Sequence, residues 1–182
     1  MTELIILSGS PGSGKSTVAR LLAERYERCV HLHTDDFWHV IVRGAIPAYL
    51  SESDAQNQTV VAAIAAAAFE YAAGGFPTIV DGVVGPWMLP HYRREAARHP
   101  GVAVHYLVLR PDRETALRRA QQRTAPDALV DAEPILGLWD QFAELGELQG
   151  HTVDTTRMDA EASAAEVFAL VASGRMRLEL PH

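Results

Sequence analysis

A single cysteine, Cys29, stands in the 182 residues. A lone thiol excludes an intrachain disulfide, and its place at the start of an apolar run reads as a packed side chain rather than a reactive one. No basic tract is longer than Arg93-Arg94 or Arg118-Arg119, and acids outnumber bases 23 to 16, for a net charge of −7. Holding a nucleic-acid backbone takes several clustered cations. A dedicated nucleic-acid surface is therefore not expected, whereas a small phosphorylated ligand, which needs only local positive charge, stays open. The longest apolar stretch, Val60–Phe69, is alanine-rich and far too short for a membrane span. The first apolar run has no basic residues ahead of it and is too short for a signal segment. Internal repeats and low-complexity linkers are missing as well. Together these absences lead to the expectation of one soluble domain over residues 1–182, in a reducing compartment, most simply the cytoplasm.

Against that plain background one motif stands out. Gly9-Ser10-Pro11-Gly12-Ser13-Gly14-Lys15-Ser16-Thr17 fits G-x-x-x-x-G-K-[ST] in full. The apolar run Leu4-Ile5-Ile6-Leu7 precedes it, and a helical pattern from Val18 to Ala23 follows. Strand, glycine loop and helix form the context in which this motif wraps a polyphosphate with backbone N–H groups. Lys15 is then placed at the β- and γ-phosphates, and the Ser16 hydroxyl ligates Mg²⁺.

Strand and helix patterns alternate along the rest. Strands are expected at Glu3–Leu7, Cys29–His33, Pro77–Val83 and Val102–Leu109, with a weak one at His151–Val153. Helices are expected at Lys15–Tyr26, Ser53–Ala73, Pro90–Arg98, Asp112–Arg123, Glu133–Leu148 and Ala160–Ser173. Short, near-continuous apolar strands between helices imply a three-layer α/β fold around a parallel sheet. Thr124–Glu133 is the least regular interior stretch and reads as a mobile loop, part of a short lid near residues 119–135. Arg175–His182 reads as either a final edge strand or a tail.

In open α/β sheets ligands gather at the carboxyl ends of the strands. The second strand ends in His31-Leu32-His33-Thr34-Asp35-Asp36-Phe37-Trp38. A carboxylate there can take the proton of an attacking hydroxyl. Asp35 is the first choice and Asp36 the second; the same residues could instead cap a short helix. His31 and His33 share one strand face and read as structural or substrate-lining. Phe37, Trp38 and Trp87 can wall an acceptor or simply pack. The third strand ends in Asp81-Gly82, where Asp81 can hold Mg²⁺ or orient the acceptor. Arg119 and Arg123 lie four apart on one helix face, ahead of the irregular segment, and suit clamping of a phosphate as charge builds on it. Asp154, after the weak fifth strand, suits a loop beside the nucleotide base.

Taken together, these residues resemble the P-loop small-molecule kinases of the nucleoside-monophosphate-kinase-like fold, a group that includes uridine kinases, gluconate kinases and chloramphenicol phosphotransferases. The resemblance runs from Ile5 to about Ser173. It implies a five-stranded parallel sheet of order 2-3-1-4-5, ATP as donor and Mg²⁺ as cofactor. Asp35-Asp36-Phe37-Trp38 is similar to the D-x-F-[YW] of uridine-kinase-like enzymes, whose first Asp accepts the hydroxyl proton. Arg119 and Arg123 look like that group's lid arginines, and Asp154-Thr155 like its adenine-side pair. The acceptor-side stretch Asp36–Gln58 offers only Arg43, with Arg93 and Arg94 later, which favours an acceptor without a phosphate over a nucleotide. The guanine-reading N-K-x-D is absent. The expected activity is transfer of a γ-phosphate to a small-molecule hydroxyl, with a nucleotide kinase, and a regulatory module or slow ATPase, as alternatives.

Overall fold

The computed structural model describes residues 2–124 and 128–179. Ala125, Pro126 and Asp127, inside the expected lid, lie outside the described residues. Five strands, β1 (Thr2–Ser8), β2 (Val30–His33), β3 (Thr78–Gly82), β4 (Val102–Leu109) and β5 (Thr152–Val153), form one parallel sheet of order β2-β3-β1-β4-β5. The order is the one the resemblance implies.

Alternation along β1 explains the three layers. Leu4 and Ile6 face a cluster built with α3 (Asp54–Ala73) and α4 (Leu89–Arg98). Ile5 and Leu7 face the opposite cluster, built with α1 (Lys15–Ala23) and α7 (Ala160–Ala172). Successive strand side chains point to opposite sides, so a strand apolar at every position needs a helical layer on each face. The alanines of α3, including Ala65, Ala68 and Ala72, are buried and let that helix lie close to the sheet. It ends at Gly74-Gly75, as the sequence indicates.

Two segments take one of the alternatives that the sequence left open, a short helix and a C-terminal edge, and one expected helix is cut short. A six-residue helix, α2 (Thr34–His39), follows β2 directly and carries both aspartates. The long helix expected over Glu133–Leu148 is only α6 (Ala132–Asp140), then turns, then a 3-10 stretch from Gly146 to His151. The apolar spacing does continue, since Phe142 and Leu145 are buried. Past the end of α6, the Arg110 guanidinium, just after β4, donates to the carbonyls of Phe142 and Ala143 at 3.1 and 2.8 Å, taking two acceptors that a longer helix would need. Finally, the C-terminal stretch is an edge segment: Tyr106 N–H donates to Met176 O at 2.9 Å and Leu178 N–H to Val104 O at 2.8 Å, antiparallel to β4. It continues the edge that β5, only two residues long, leaves uncovered.

Candidate active site

Four segments meet at the carboxyl ends of β1, β2 and β3. Gly9–Gly14 link β1 to α1, and Gly14 is the N-cap of that helix. Gly12 has φ 80°, and a methyl there would lie 2.0 Å from the Ala116 carbonyl oxygen of α5 (Arg113–Gln121). Glycine is therefore required twice over, for the left-handed backbone and for the contact. The loop is thus seated on α5. Within it Ser13 Oγ is buried with no hydrogen-bond partner among the described residues. An orphaned hydroxyl in a loop of N–H donors fits a phosphate oxygen.

Lys15 is 6 % exposed, and its ammonium donates to Ser10 O at 3.4 Å. Burial, and then the nearby Arg123 cation, pull its pKa down to about 8, while Asp81 and Asp35 pull the other way. Arg123 and Asp35 therefore both lie within electrostatic reach of Lys15.

Ser16 Oγ donates to Asp81 Oδ2 at 2.6 Å, joining the first turn of α1 to the end of β3. Asp81 is fully buried. Burial by itself would raise its pKa, but hydrogen bonds from His31, His33 and Ser16 outweigh this and hold it far below the usual carboxylate range. His31 Nε2 meets Oδ1, and His33 Nδ1 lies 3.1 and 3.2 Å from the two oxygens. The parallel register that pairs His33 with Asp81 sets this up. The same bond to Asp81 raises the His33 pKa, against its partial burial. The two histidines spaced i, i+2 and Asp81 are each legible in the sequence; that the histidines serve this aspartate, 48 residues after His33, is not, because strand register is a tertiary fact.

Asp35 follows His33 by two residues, and its Oδ2 lies 3.5 Å from His33 Nε2. Asp36 also lies within electrostatic reach of His33, but no ion pair joins the two among the described residues. The backbone of α2 is fixed by Gly82: a methyl there would fall 1.9 Å from Thr34 Oγ1. The aromatics separate. Trp38 Nε1 donates to Asn57 Oδ1 at 2.8 Å, while Phe37 lines an apolar groove of about 330 Å³ with Val40, Ile41 and Val60. Phe37 is two residues from Asp35, or about 160° round the helix, so the groove opens on the far side of α2 from that carboxylate. Trp87 is half exposed above Gly85 and leans on Phe142, ring centroids 6.0 Å apart.

The two clamp arginines also part company. Arg123 sits just past α5, exposed and within electrostatic reach of Lys15. Arg119 donates to the carbonyls of Thr155 and Met158 at 3.3 and 3.2 Å, bracing the loop after β5. In that loop Asp154 accepts from Thr156 N–H at 2.9 Å and from its hydroxyl, which lowers the carboxyl pKa. Asp154, Asp112, Thr156, Arg157 and Met158 line a cavity of about 430 Å³. Asp154 thus lies on the wall of that cavity, with one oxygen committed to shaping the loop. Trp139 of α6 donates from its indole to Pro111 O at 2.9 Å beside it.

No group of three or more His, Cys, Asp or Glu suited to a metal ion occurs among the described residues, so a cation here would rest on Ser16, Asp81 and phosphate oxygens. Within the described residues no helix is long and apolar enough to cross a membrane.

Solved structures share this fold. A sugar kinase from Janibacter sp. HTCC2649 superposes with a TM-score of 0.70 at 21% identity, covering 94% of this chain and 95% of that one. A tunicamycin resistance protein from Deinococcus radiodurans gives 0.65 at 19% identity, covering 94% and 96%. A gluconokinase from Sinorhizobium meliloti 1021 gives 0.63 at 21% identity, covering 94% of each chain. At these identities the likeness is one of fold. No curated protein sequence matches the chain. The seated glycine loop, the buried lysine and the Ser16–Asp81 pair all lie within residues 4–145, the stretch that matches the model of the AAA domain family, and the chain belongs to that family.

Proposed function

We propose that the chain is an ATP-dependent phosphotransferase that moves a γ-phosphate to the hydroxyl of a small molecule. The observation that carries the reading is the convergence of Lys15, Ser16, Asp81, Arg123 and Asp35 at one end of the sheet, from α1, β3, α2 and the segment just after α5. Kinase neighbours of the same fold support it.

In this reading residues 9–17 cradle the triphosphate, with Ser13 Oγ satisfied by a phosphate oxygen. Lys15 loses water on burial, so its charge acts at full strength on the oxygens beside it. Ser16 and Asp81 would hold Mg²⁺, which when bound neutralises charge on the β- and γ-oxygens. Asp35 accepts the acceptor's proton, and its approach to His33 and Lys15 supports it over Asp36. Arg123 stabilises charge on the group in transfer. Arg119 serves at one remove, holding the loop that bears Asp154 against the nucleotide base.

The test is release of ADP from Mg-ATP in the presence of nucleosides, sugars and antibiotics in turn. At least one acceptor should accelerate release, and Lys15→Ala should remove that acceleration by a factor of about 10² or more. If no acceptor accelerates release, a regulatory module or slow ATPase replaces the kinase reading.

A further inference from the structure

Two carboxylates carry separate halves of the reaction proposed above, and one side chain touches both. His33 Nδ1 lies 3.1 Å from Asp81 Oδ1, and Nε2 of the same ring lies 3.5 Å from Asp35 Oδ2. Asp81 is sealed, with its side chain 0 % exposed, whereas that of Asp35 is 67 % exposed. An exposed carboxylate on a six-residue helix samples several rotamers unless something holds it. Asp81 does not depend on His33 for company, since His31 already meets Oδ1 and Ser16 donates to Oδ2. An imidazole is rigid, so a contact made by one nitrogen fixes where the other points.

We propose that His33 is a positioning residue that tethers the Asp35 carboxylate to buried Asp81 and so holds the base opposite the phosphate loop. This rests on the kinase reading and on Asp35 as its base. Gly82 fixes the backbone of α2 through Thr34, and His33 fixes the side chain that this backbone presents. Without the tether, nucleotide binds as before, but Asp35 spends only part of its time in reach of the attacking oxygen. A positional loss of this kind lowers turnover and leaves nucleotide affinity alone.

The experiment needs no identified acceptor, because water can attack in the hydroxyl's place. Phosphate release from Mg-ATP is measured at saturation for the unaltered protein, Asp35→Asn, His33→Asn and the double variant, with Mg-ATP affinity from calorimetry. The short amide of His33→Asn can still reach Asp81 from the Nδ1 position but ends before Asp35. Asp35→Asn is expected to slow release about 10²-fold, and His33→Asn about tenfold. The double variant should be no slower than Asp35→Asn, and all four proteins should bind Mg-ATP equally. His33→Ala, which removes both contacts, enters the same cycle if His33→Asn lacks a cooperative melting transition. If Asp35→Asn turns over like the unaltered protein, the base assignment fails and the tether with it. If Asp35→Asn is slow but His33→Asn is not, or the two losses multiply, the tether alone is overturned. A loss of Mg-ATP affinity in His33→Asn overturns it too, since the histidine would then serve the metal side through Asp81.

Discussion

Gly82 has room for a hydrogen and nothing larger. The methyl of Gly82→Ala would press on Thr34, which is buried and β-branched and so cannot swing aside. The expected cost is about 1–3 kcal/mol by denaturant unfolding. A shifted α2 should also cut acceptor-dependent turnover more than Mg-ATP binding. Cys29 makes a different kind of statement. Burial pushes its thiol up to about 11, against about 8.5 in an unfolded chain. Between these values the folded protein holds a proton that the unfolded chain has released, so stability falls as pH rises through that window. Unfolding titrations of the protein and of Cys29→Ala should diverge there and run parallel below pH 8. Alkylation of Cys29 at neutral pH should be slow for the same reason.

Among the elements, α5 has the most riding on it. Its N-cap, Asp112, accepts from Thr115 N–H at 2.7 Å, and Asp112 N–H donates to Thr156 Oγ1 at 2.9 Å. One residue therefore joins the helix under the phosphate loop to the loop after β5. Asp112→Ala removes the cap and keeps the backbone link to Thr156, and should cost about 1 kcal/mol, or about 2–4 °C in melting temperature for a chain of this size. Which elements exist was legible from periodicity and punctuation: all five strands begin and end within one residue of expectation. The failure at Glu133–Leu148 has a physical source. Nothing local says that Arg110, more than thirty residues earlier in the chain, will take the carbonyls of Phe142 and Ala143. The short helix α2 was only half legible: Thr34-Asp35-Asp36 looks like the cap of a short helix, but only tertiary packing rewards six residues of it.

As a whole the molecule has two apolar cores separated by a sheet. The C-terminal stretch plugs both: Leu178 lies in the cluster with α3 and α4, and Met176 in the one with α1 and α7. Leu178→Ala and Met176→Ala should each cost about 2–5 kcal/mol. Because their neighbours lie on opposite faces, the double variant should show the sum to within about 0.5 kcal/mol. The fold was readable because strand-helix alternation is local. The phosphate loop was readable because its parts are contiguous. The remainder of the candidate site, Asp81 between two histidines and Arg119 on carbonyls 36 and 39 residues away, depends on register and loop return, which no window of sequence contains.

The three indoles stand at three different stations. Trp38 is tied to Asn57 of α3, Trp87 is half in water against Phe142, and Trp139 is fastened to Pro111, next to Asp112 of the cavity that Asp154 also lines. Intrinsic fluorescence thus becomes an address system. In single-tryptophan proteins, emission from Trp139 should respond to nucleotide alone, while Trp38 and Trp87 should wait for the second substrate. Titrating candidate metabolites against those two signals would pick out the acceptor optically, before any product is made.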